Sequence, residues 1–594
     1  MCRIAGIVDR SLPTSSIEVL VRQMCNLLKA GGPDDEGVWS DDENHVVLGN
    51  RRLSIIDLST AGHQPMAYAD ERYWITYNGE LYNYPELREE LTIAGCRFRS
   101  SSDTEVILAA FSIWGTAAFK RFNGMFAFAL WDSFNTSLYL VRDPSGIKPL
   151  YFAIKEQGLV FASEQRAFDP IPWLQKKNPN WPVYLMAYGH LPEPITTLQD
   201  VEPLEKGTWL KYNCITGDTH KESFNRYCYL EKISDRNEAK RLVKDSLQNA
   251  VKRHLLSDAP IGVFLSGGLD SSIIALLAQR DQAQLNTVSL YFEQNQFSEK
   301  KYQDELQQHL ICNHHQHLLK EKEFHEYFPA IVNTMDLPSC DGINTWFISK
   351  YAKESGLKAV LSGIGGDELY GGYPSFTRIQ AALLFGRLPN LMLRVGRFSG
   401  IKGFRRVVYL SIDGPVGRYL FLRGHFTPNE IAAHLGADQK EIWDILSEQP
   451  RLANIDHMTP ENQASWMETN MYMQNQLLRD ADVMSMAHGL EIRLPFLDAD
   501  FIRLTLKINT AAKYGGSFSK QLLIDSFKDI LPRSIWDRPK MGFSFPFKEW
   551  LSRDEFSRDI MGRDINGNYK KFMAGNMHWS QYLTAMLIEN HQHS

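Results

Sequence analysis

The chain begins Met1-Cys2-Arg3-Ile4. With the initiator methionine removed, residue 2 would carry a thiol nucleophile and an α-amine of pKa roughly 7.7 to 8.0, a base built onto the nucleophile itself. A second-position cysteine can equally be a small residue opening a first strand. Further along, Ile261 to Leu265 reads as a buried strand, Ser266-Gly267-Gly268-Leu269-Asp270-Ser271-Ser272 as a glycine turn, and Ile273 to Ala278 as a helix. That order makes an anion cradle. Glycines let backbone N–H groups approach oxygens, serines add hydroxyl donors and the helix dipole favours negative charge. The run lacks the Gly-Lys-Ser/Thr ending of a Walker loop and the Gly-x-Gly-x-x-Gly dinucleotide spacing. A second glycine turn, Ser362-Gly363-Ile364-Gly365-Gly366-Asp367-Glu368, follows another apparent strand, Lys358 to Leu361. Asp270 and Asp367, one from each turn, could share Mg2+ with phosphates, because magnesium takes a few carboxylates plus phosphate oxygens. Either aspartate alone would also serve as a helix cap.

The elements that must position these groups fall into two styles. From residue 2 to about 210 short alternating or apolar runs predominate, at Val46 to Leu48, Tyr73 to Tyr77, Met125 to Trp131 and Ser137 to Val141, with helical spacing at Ile17 to Leu28 and Glu105 to Trp114. These predict a layered sheet structure. A polar stretch after Trp209 leads into a helical segment, Glu238 to Leu256, and a domain boundary is expected there. Beyond it the strand–glycine–helix order predicts a parallel α/β sheet, then mostly helix from about 376 to 530. Both glycine turns would lie at carboxyl ends of parallel strands, where open α/β sheets bind ligands.

Bulk properties exclude several classes. A length of 594 residues exceeds one core, and 44% hydrophobic with 23% charged residues is ordinary globular composition. A net charge of -6 gives no general reason to bind nucleic acid. The basic run from Arg378 to Arg406, with Arg387, Arg394, Arg397, Lys402 and Arg405, reads as a solvated helical surface. The seven cysteines form no Cys-x-x-Cys pair, which suits a reducing compartment. With no apolar run near the roughly eighteen residues that span a bilayer, stable membrane insertion is not expected. No leader is read at the N-terminus, so a cytoplasmic protein is expected.

The stretch Ser-Gly-Gly-x-Asp-Ser-Ser resembles the PP-loop of ATP pyrophosphatases. Together with Cys2 it resembles the glutamine-hydrolysing asparagine synthetases, over nearly the whole chain to about residue 550. Arg51 to Leu58, Tyr77 to Asn83, Ser102 to Glu105, Arg142 to Tyr151 and Phe161 to Glu164 look like the glutaminase signatures; Leu478 to Asp482, Leu490 to Asp498 and Arg538 to Ser544 look like the synthetase ones. The resemblance implies an α+β Ntn-hydrolase domain, a four-layer αββα sandwich, over 2–212, and a Rossmann-like α/β PP-loop domain with extra helices over 235–594. It implies that Cys2 attacks glutamine and that Asn78 and Gly79 form an oxyanion hole. Arg52 would clamp the α-carboxylate, and Asp103, helped by Glu80, would take the α-ammonium. Leu53, Ser54, Ile55 and Ile56 complete the implied glutamine pocket. Leu265, Val288, Ser362 and Gly363 match nucleotide contacts beside Ser266 to Ser272, Asp270 and Asp367 would hold Mg2+, and Lys540 would steady charge during adenylation. ATP, glutamine and aspartate or another carboxylate are the implied small-molecule substrates, a channel would carry ammonia between the domains, and a homodimer is left open.

Two positions depart from the family pattern. Where members usually read His-Arg-Gly-Pro-Asp this chain has Ala30-Gly31-Gly32-Pro33-Asp34, and Ile364 stands where an acid is common. A working glutaminase is still expected, since Cys2, Arg52, Asn78, Gly79 and Asp103 are all present. Asp336, Asp341 or Glu368 are candidates to replace the missing acid. The alternatives are a different acceptor, such as a sugar acid or peptide, ring closure as in β-lactam synthetases, and a glutamine- or nucleotide-sensing protein without turnover. Cys312, His314, His315 and His317, expected on a strand after a helix from Asp304 to Leu310, would split between its faces rather than gather on zinc. His488 reads as satisfying a buried hydrogen bond.

Overall fold

The computed structural model describes residues 2–156, 158–395, 405–448, 452–542, 545–551 and 567–593. Phe543, Ser544, Arg397 and Lys402, named above, lie outside the described residues, as does the side chain of Arg394.

Two six-stranded antiparallel sheets build the N-terminal half. One is ordered Glu202–Pro203, Tyr151–Lys155, Gly158–Ala162, Arg3–Asp9, Val46–Arg52, Asp35–Asp41; the other Thr219–Ser223, Thr208–Asn213, Ser137–Arg142, Gly124–Asp132, Tyr73–Leu81, Met66–Tyr68. Period-two alternation decides what each face meets. In the first strand Ile4 and Val8 face the other sheet, against Ala127, Ala129 and Trp131. Ala5 and Ile7 face helix Thr14–Leu27 through Ile17, Val21 and Met24. Phe126, Phe128 and Leu130 turn the other way, onto helix Asp103–Trp114. The result is the four-layer αββα order. The expected strands and helices are present, most of them extended by a few residues.

The C-terminal half centres on a five-stranded parallel sheet ordered Cys312–Leu318, Leu285–Tyr291, Ile261–Phe264, Ala359–Leu361, Glu491–Arg493. The helix expected over Asp304 to Leu310 instead spans Lys300–Gln307, and Gln308 to Leu310 form the turn into the next strand. Glu468–Leu477 is π-helical, a geometry that recurs at functional sites. One apolar cluster runs through both halves, joining Leu53, Ile55, Met125 and Ile147 to Val263, Leu265, Leu361, Leu478 and Leu494.

The connecting segment is fastened to the second half. Leu230 and Ile233 N–H groups donate to Leu506 and Lys507 carbonyls, and Ile233 O accepts from Asn509. Tyr229 covers Lys513, whose Nζ is buried without a hydrogen-bond partner, 5.2 Å from that ring and 4.8 Å from Tyr514. Burial, only partly offset by Glu231, takes the Lys513 ammonium from 10.5 down to about 7. The unfolded chain therefore binds more protons than the folded one across that window, so stability rises with pH from about 7 to 10.5. Lys513→Met should remove this rise. Urea midpoints for wild type and variant at about pH 7 and about pH 10 check it, and an equal pH response in both proteins would contradict it.

Candidate active site

The strand Arg3–Asp9 pairs Arg3 with Arg51, which sets Cys2 beside the Arg52–Leu53 end of the neighbouring strand. Cys2 is 6% exposed. Burial pushes its thiol up, while a backbone hydrogen bond from Leu53 and the charge of Arg52 oppose that rise. The Arg52 guanidinium is splinted by carbonyls, Nη1 to Ser59 at 3.2 Å and Nη2 to Asp57 at 2.5 Å and Ile56 at 3.3 Å. A Cβ at Gly62 would strike Nη2 at 2.0 Å, so glycine makes room for the fork. A guanidinium so held suits a carboxylate ligand. Ser54 and Ile55 turn their backbones to other business: Ser54 N–H donates to Asp34, Ser54 O accepts from Lys358, and Ile55 O accepts from Asp258 N–H.

Across from Cys2's strand, Tyr73–Leu81 carries Asn78, Gly79 and Glu80. Asn78 is 0% exposed and both its amide nitrogen and its amide oxygen lack partners. A buried amide left unpaired is costly, and a ligand that paired with Asn78 would remove that cost. Gly79 has no room for a side chain, since a Cβ would lie 2.1 Å from Met125 O. Asp103, first residue of the helix capped by Ser102, accepts from Tyr77 Oη at 3.0 Å and Leu81 N–H at 2.9 Å. Burial raises its carboxyl above the ordinary value. Glu80 reaches into the other half, with Oε1 3.4 Å from Arg493. Burial and then Glu491 keep its carboxyl well above the ordinary range. Arg493 and Glu491, on the last strand of the parallel sheet, thus border this pocket.

The glycine turn after Ile261–Phe264 is closed by its own serines. Ser266 and Ser271 hydroxyls are 2.8 Å apart, Gly268 N–H donates to Ser266 Oγ, and Ser271 and Ser272 hydroxyls donate to Gly268 O. Gly267 sits at φ 72°, the left-handed region that favours glycine. Helix Leu269–Asp281 starts here, its N-terminus facing the turn. Leu265 N–H donates to Val288 O, and Ser362 N–H to Arg493 O. Gly363 and Gly366 both abut Asp270, with Cβ positions 2.9 Å and 2.5 Å from its side chain.

Asp270 and Asp367 converge, and the group between them is Lys520, whose Nζ lies 2.7 Å from Asp270 and 2.6 Å from Asp367. Lys540 reaches Asp367 Oδ2 at 2.7 Å. Burial would raise Asp367, but Lys520 and Lys540 hold it down to about 2; burial prevails at Asp270, which is raised. Lys520 was missed, since nothing in Ser517-Phe518-Ser519-Lys520 marks it except its left-handed φ of 56°, visible only in the fold. Among the described residues no group of three or more His, Cys, Asp or Glu is placed to hold a metal. Asp270 Oδ1 is nevertheless buried without a hydrogen-bond partner. Two carboxylates completed by phosphate oxygens fit Mg2+.

Beyond Lys540 lies Tyr373, 4.7 Å from its Nζ, then Tyr472 and Arg423, the latter 3.6 Å from the Tyr472 ring and 4.5 Å from the Tyr373 ring. Past them opens a cavity of about 1390 Å3 walled by Asp341, Asn344, Arg423, Tyr472, Phe545 and Trp579 among others. Of the candidate acids, Asp336 is taken: it accepts from Gln165 and Arg166 N–H groups in the other half. Glu368 is buried, bonded to Tyr373 Oη and Gly365 N–H, and raised to about 7 by burial and Asp367. Asp341 faces the cavity. The strand histidines are engaged locally, His314 with Thr287 and His317 with Glu323. His488 makes the expected hydrogen bond, to the Trp346 backbone, while its Nε2 has no partner and the ring packs edge-on to Trp346 at 4.5 Å.

A family model described as a glutamine amidotransferase domain matches residues 1–227, and one described as asparagine synthase matches 242–589. Glutamine-hydrolysing asparagine synthetase 1 of Bacillus subtilis is 32% identical over 588 residues, 94% of this chain and 90% of that protein. Asparagine synthetase B of Escherichia coli is 28% identical over 565 residues, covering 92% and 82%. Amidase chry2 of Gibberella zeae is 26% identical over 584 residues, covering 88% and 84%. With both halves matched in order, the chain belongs to the asparagine synthase family, with a glutamine amidotransferase domain preceding the synthetase domain.

Proposed function

We propose that the protein is a glutamine-dependent ligase that makes asparagine from aspartate, with the domain boundary between residues 212 and 235. The observation that carries the ligase reading is the presence of two unfinished sites in halves that share one continuous core: a pocket around Cys2 with Asn78 unpaired, and a lysine–aspartate cluster at a PP-loop. After removal of Met1, the Cys2 amine takes the thiol proton and the sulfur attacks the glutamine side-chain carbonyl. Asn78 Nδ2 and Gly79 N–H stabilise the oxyanion. The C–N bond breaks, ammonia leaves with the proton, and water releases glutamate from the thioester. Arg52 and Asp103 orient the amino-acid end of glutamine.

In the synthetase domain a carboxylate oxygen of the acceptor attacks the α-phosphorus of ATP. The bond to the bridging oxygen breaks, and pyrophosphate leaves into the Ser266–Ser272 loop. Lys520 and Lys540 stabilise the charge that grows on it. Mg2+ held by Asp270 and Asp367 would neutralise phosphate oxygens. Ammonia then displaces AMP from the acyl-adenylate, leaving the amide. Leu53, Ile55, Met125 and Ile147 belong to the apolar cluster shared by the two halves, and a passage through it would favour neutral ammonia over ammonium.

A second reading, a carboxylate larger than aspartate, is favoured by Ile364 and the cavity beyond Tyr472. Isoleucine can neither accept a proton nor pair with an α-ammonium. A screen of pyrophosphate release with ATP, Mg2+ and ammonia over candidate acids decides between the two. Turnover of aspartate supports the first; turnover of sugar acids or carboxylated peptides with none of aspartate supports the second; no acid turned over, with no glutamate released either, defeats both.

Two substitutions separate the half-reactions. Cys2→Ala should abolish glutamine-dependent amide formation and keep the ammonia-dependent reaction. Lys520→Ala should lower pyrophosphate release by about 10²–10³-fold with either nitrogen source, the scale of one lost charge-stabilising contact, while glutamate release persists. Loss of glutamate release in Lys520→Ala to the same degree would refute the division of labour.

A further inference from the structure

We infer that Arg3 and a side chain at residue 31 are mutually exclusive occupants of one buried space, and that Arg3 positions the Cys2 end of the first strand against the synthetase domain. Gly31 is buried in the short turn Lys29–Gly31, and it is not among the positive-φ glycines, so its backbone does not demand glycine. Its neighbour Gly32 does have a backbone reason: a Cβ there would lie 2.2 Å from Arg51 O. At Gly31 the obstacle is a side chain. A Cβ would lie 2.8 Å from Arg3 Cγ and 2.9 Å from Arg3 Nε. Arg3 therefore runs through the space that a residue 31 side chain would enter.

The guanidinium is 0% exposed. Nε donates to Glu164 at 2.6 Å and Nη1 to Asp482 at 2.8 Å, on helix Leu478–Met486 of the synthetase domain. Lys148 Nζ is 3.2 Å from the same aspartate. The turn carrying Gly31 packs on that domain too, Pro33 Cγ lying 3.2 Å from a Cβ position at Gly489. One guanidinium has a place between Glu164 and Asp482, and a long basic side chain at residue 31 would enter the space along which Arg3 approaches it. Two would overlap sterically and repel. Here the strand delivers it, so the residue bonded to Cys2 is itself the bridge to the synthetase domain. Arg3 touches no substrate atom in this reading and is a positioning residue.

A cycle over both positions tests the exchange: wild type, Arg3→Gly, Gly31→Arg and the double variant. Each carbon and charge removed at 3 is returned at 31 only in the double. Thermal midpoints should fall in both single variants and recover in the double, which should be more stable than Arg3→Gly alone. A milder cycle guards against unfolded singles: Gly31→Ala should destabilise the wild type and not the Arg3→Gly background. Asp482 keeps Lys148 and Glu164 keeps Arg166 at 2.9 Å when Arg3 is lost, so each anion retains a cation. For positioning, the glutamate released per pyrophosphate should rise about threefold or more in Arg3→Gly, within the range of coupled neighbours, and return towards wild type in the double. Additive stabilities in both cycles overturn the exchange. An unchanged ratio in a folded Arg3→Gly protein overturns the positioning role. This second readout rests on the proposed ligase reaction; if the wild type releases neither product, that reaction fails and the stability cycles still judge the exchange.

Discussion

Two buried charge bridges across the contact between the domains constrain everything else in the molecule. One joins Arg3 and Lys148 to Asp482; the other joins Glu80 and Glu491 to Arg493. Charges taken out of water are tolerated only where geometry and further hydrogen bonds compensate the lost hydration. Arg493 meets that demand by also donating to the His254 and Leu256 carbonyls. Apolar surfaces slide over one another at small cost, whereas a displaced buried ion is left uncompensated. The shared apolar cluster therefore supplies the area of the contact and the ions supply its register. Each bridge also begins one residue from a group assigned to glutamine chemistry, Arg3 after Cys2 and Glu80 after Gly79.

That dependence explains which parts were legible in the chain before folding. The Ser266–Ser272 loop was readable because its parts are contiguous: the same seven residues form the turn, the hydroxyls and the helix start. The strands of the sandwich were readable from alternation, since each has two different faces to satisfy, as Ile4 and Ala5 show. Lys520 was not readable. Its partners Asp270 and Asp367 lie far away in sequence, and an isolated lysine carries no periodic or spacing signal. Arg493 and Glu491 were seen only as part of a matched motif, and their reach to Glu80 depends on how two separate sheets dock. Asp336 shows the converse error, an acid near the right sequence position whose oxygens are consumed by Gln165 and Arg166. The helix proposed over Asp304 to Leu310 was displaced because its apolar spacing continues into a turn.

The lysine–aspartate cluster has an electrostatic logic of its own. Two carboxylates brought within reach of one ammonium are held apart from mutual repulsion by it, and their titration splits, Asp367 down to about 2 and Asp270 up. Glu368, one residue on, is pushed to about 7 by burial and by Asp367. The cluster is close to neutral as it stands, with Lys520 and Lys540 against Asp270 and Asp367. A triphosphate entering with its own cation would keep that balance only if the lysines turned from carboxylates to phosphate oxygens. The short reach of Lys520 to both aspartates makes it the group best placed to make that exchange.

The acceptor side follows from what Ile364 removes. An aspartate substrate carries an α-ammonium, and some buried or half-buried acid must meet it, because a desolvated ammonium without a partner is strongly disfavoured. Asp336 is consumed and Glu368 is committed to Tyr373 and Gly365. Asp341, on the cavity wall and bonded to the N–H of Gly342, is then the acid that an ammonium could approach. Burial raises its carboxyl, a cost that an incoming cation would offset. An acceptor lacking an ammonium would leave that cost in place and would gain instead from the aromatic wall around Tyr472 and Trp579. On the proposed ligase reading, the charge carried by the acceptor beside its carboxylate is the property that Asp341 would sense, while Arg423 is already paired with Glu468 at 2.8 Å.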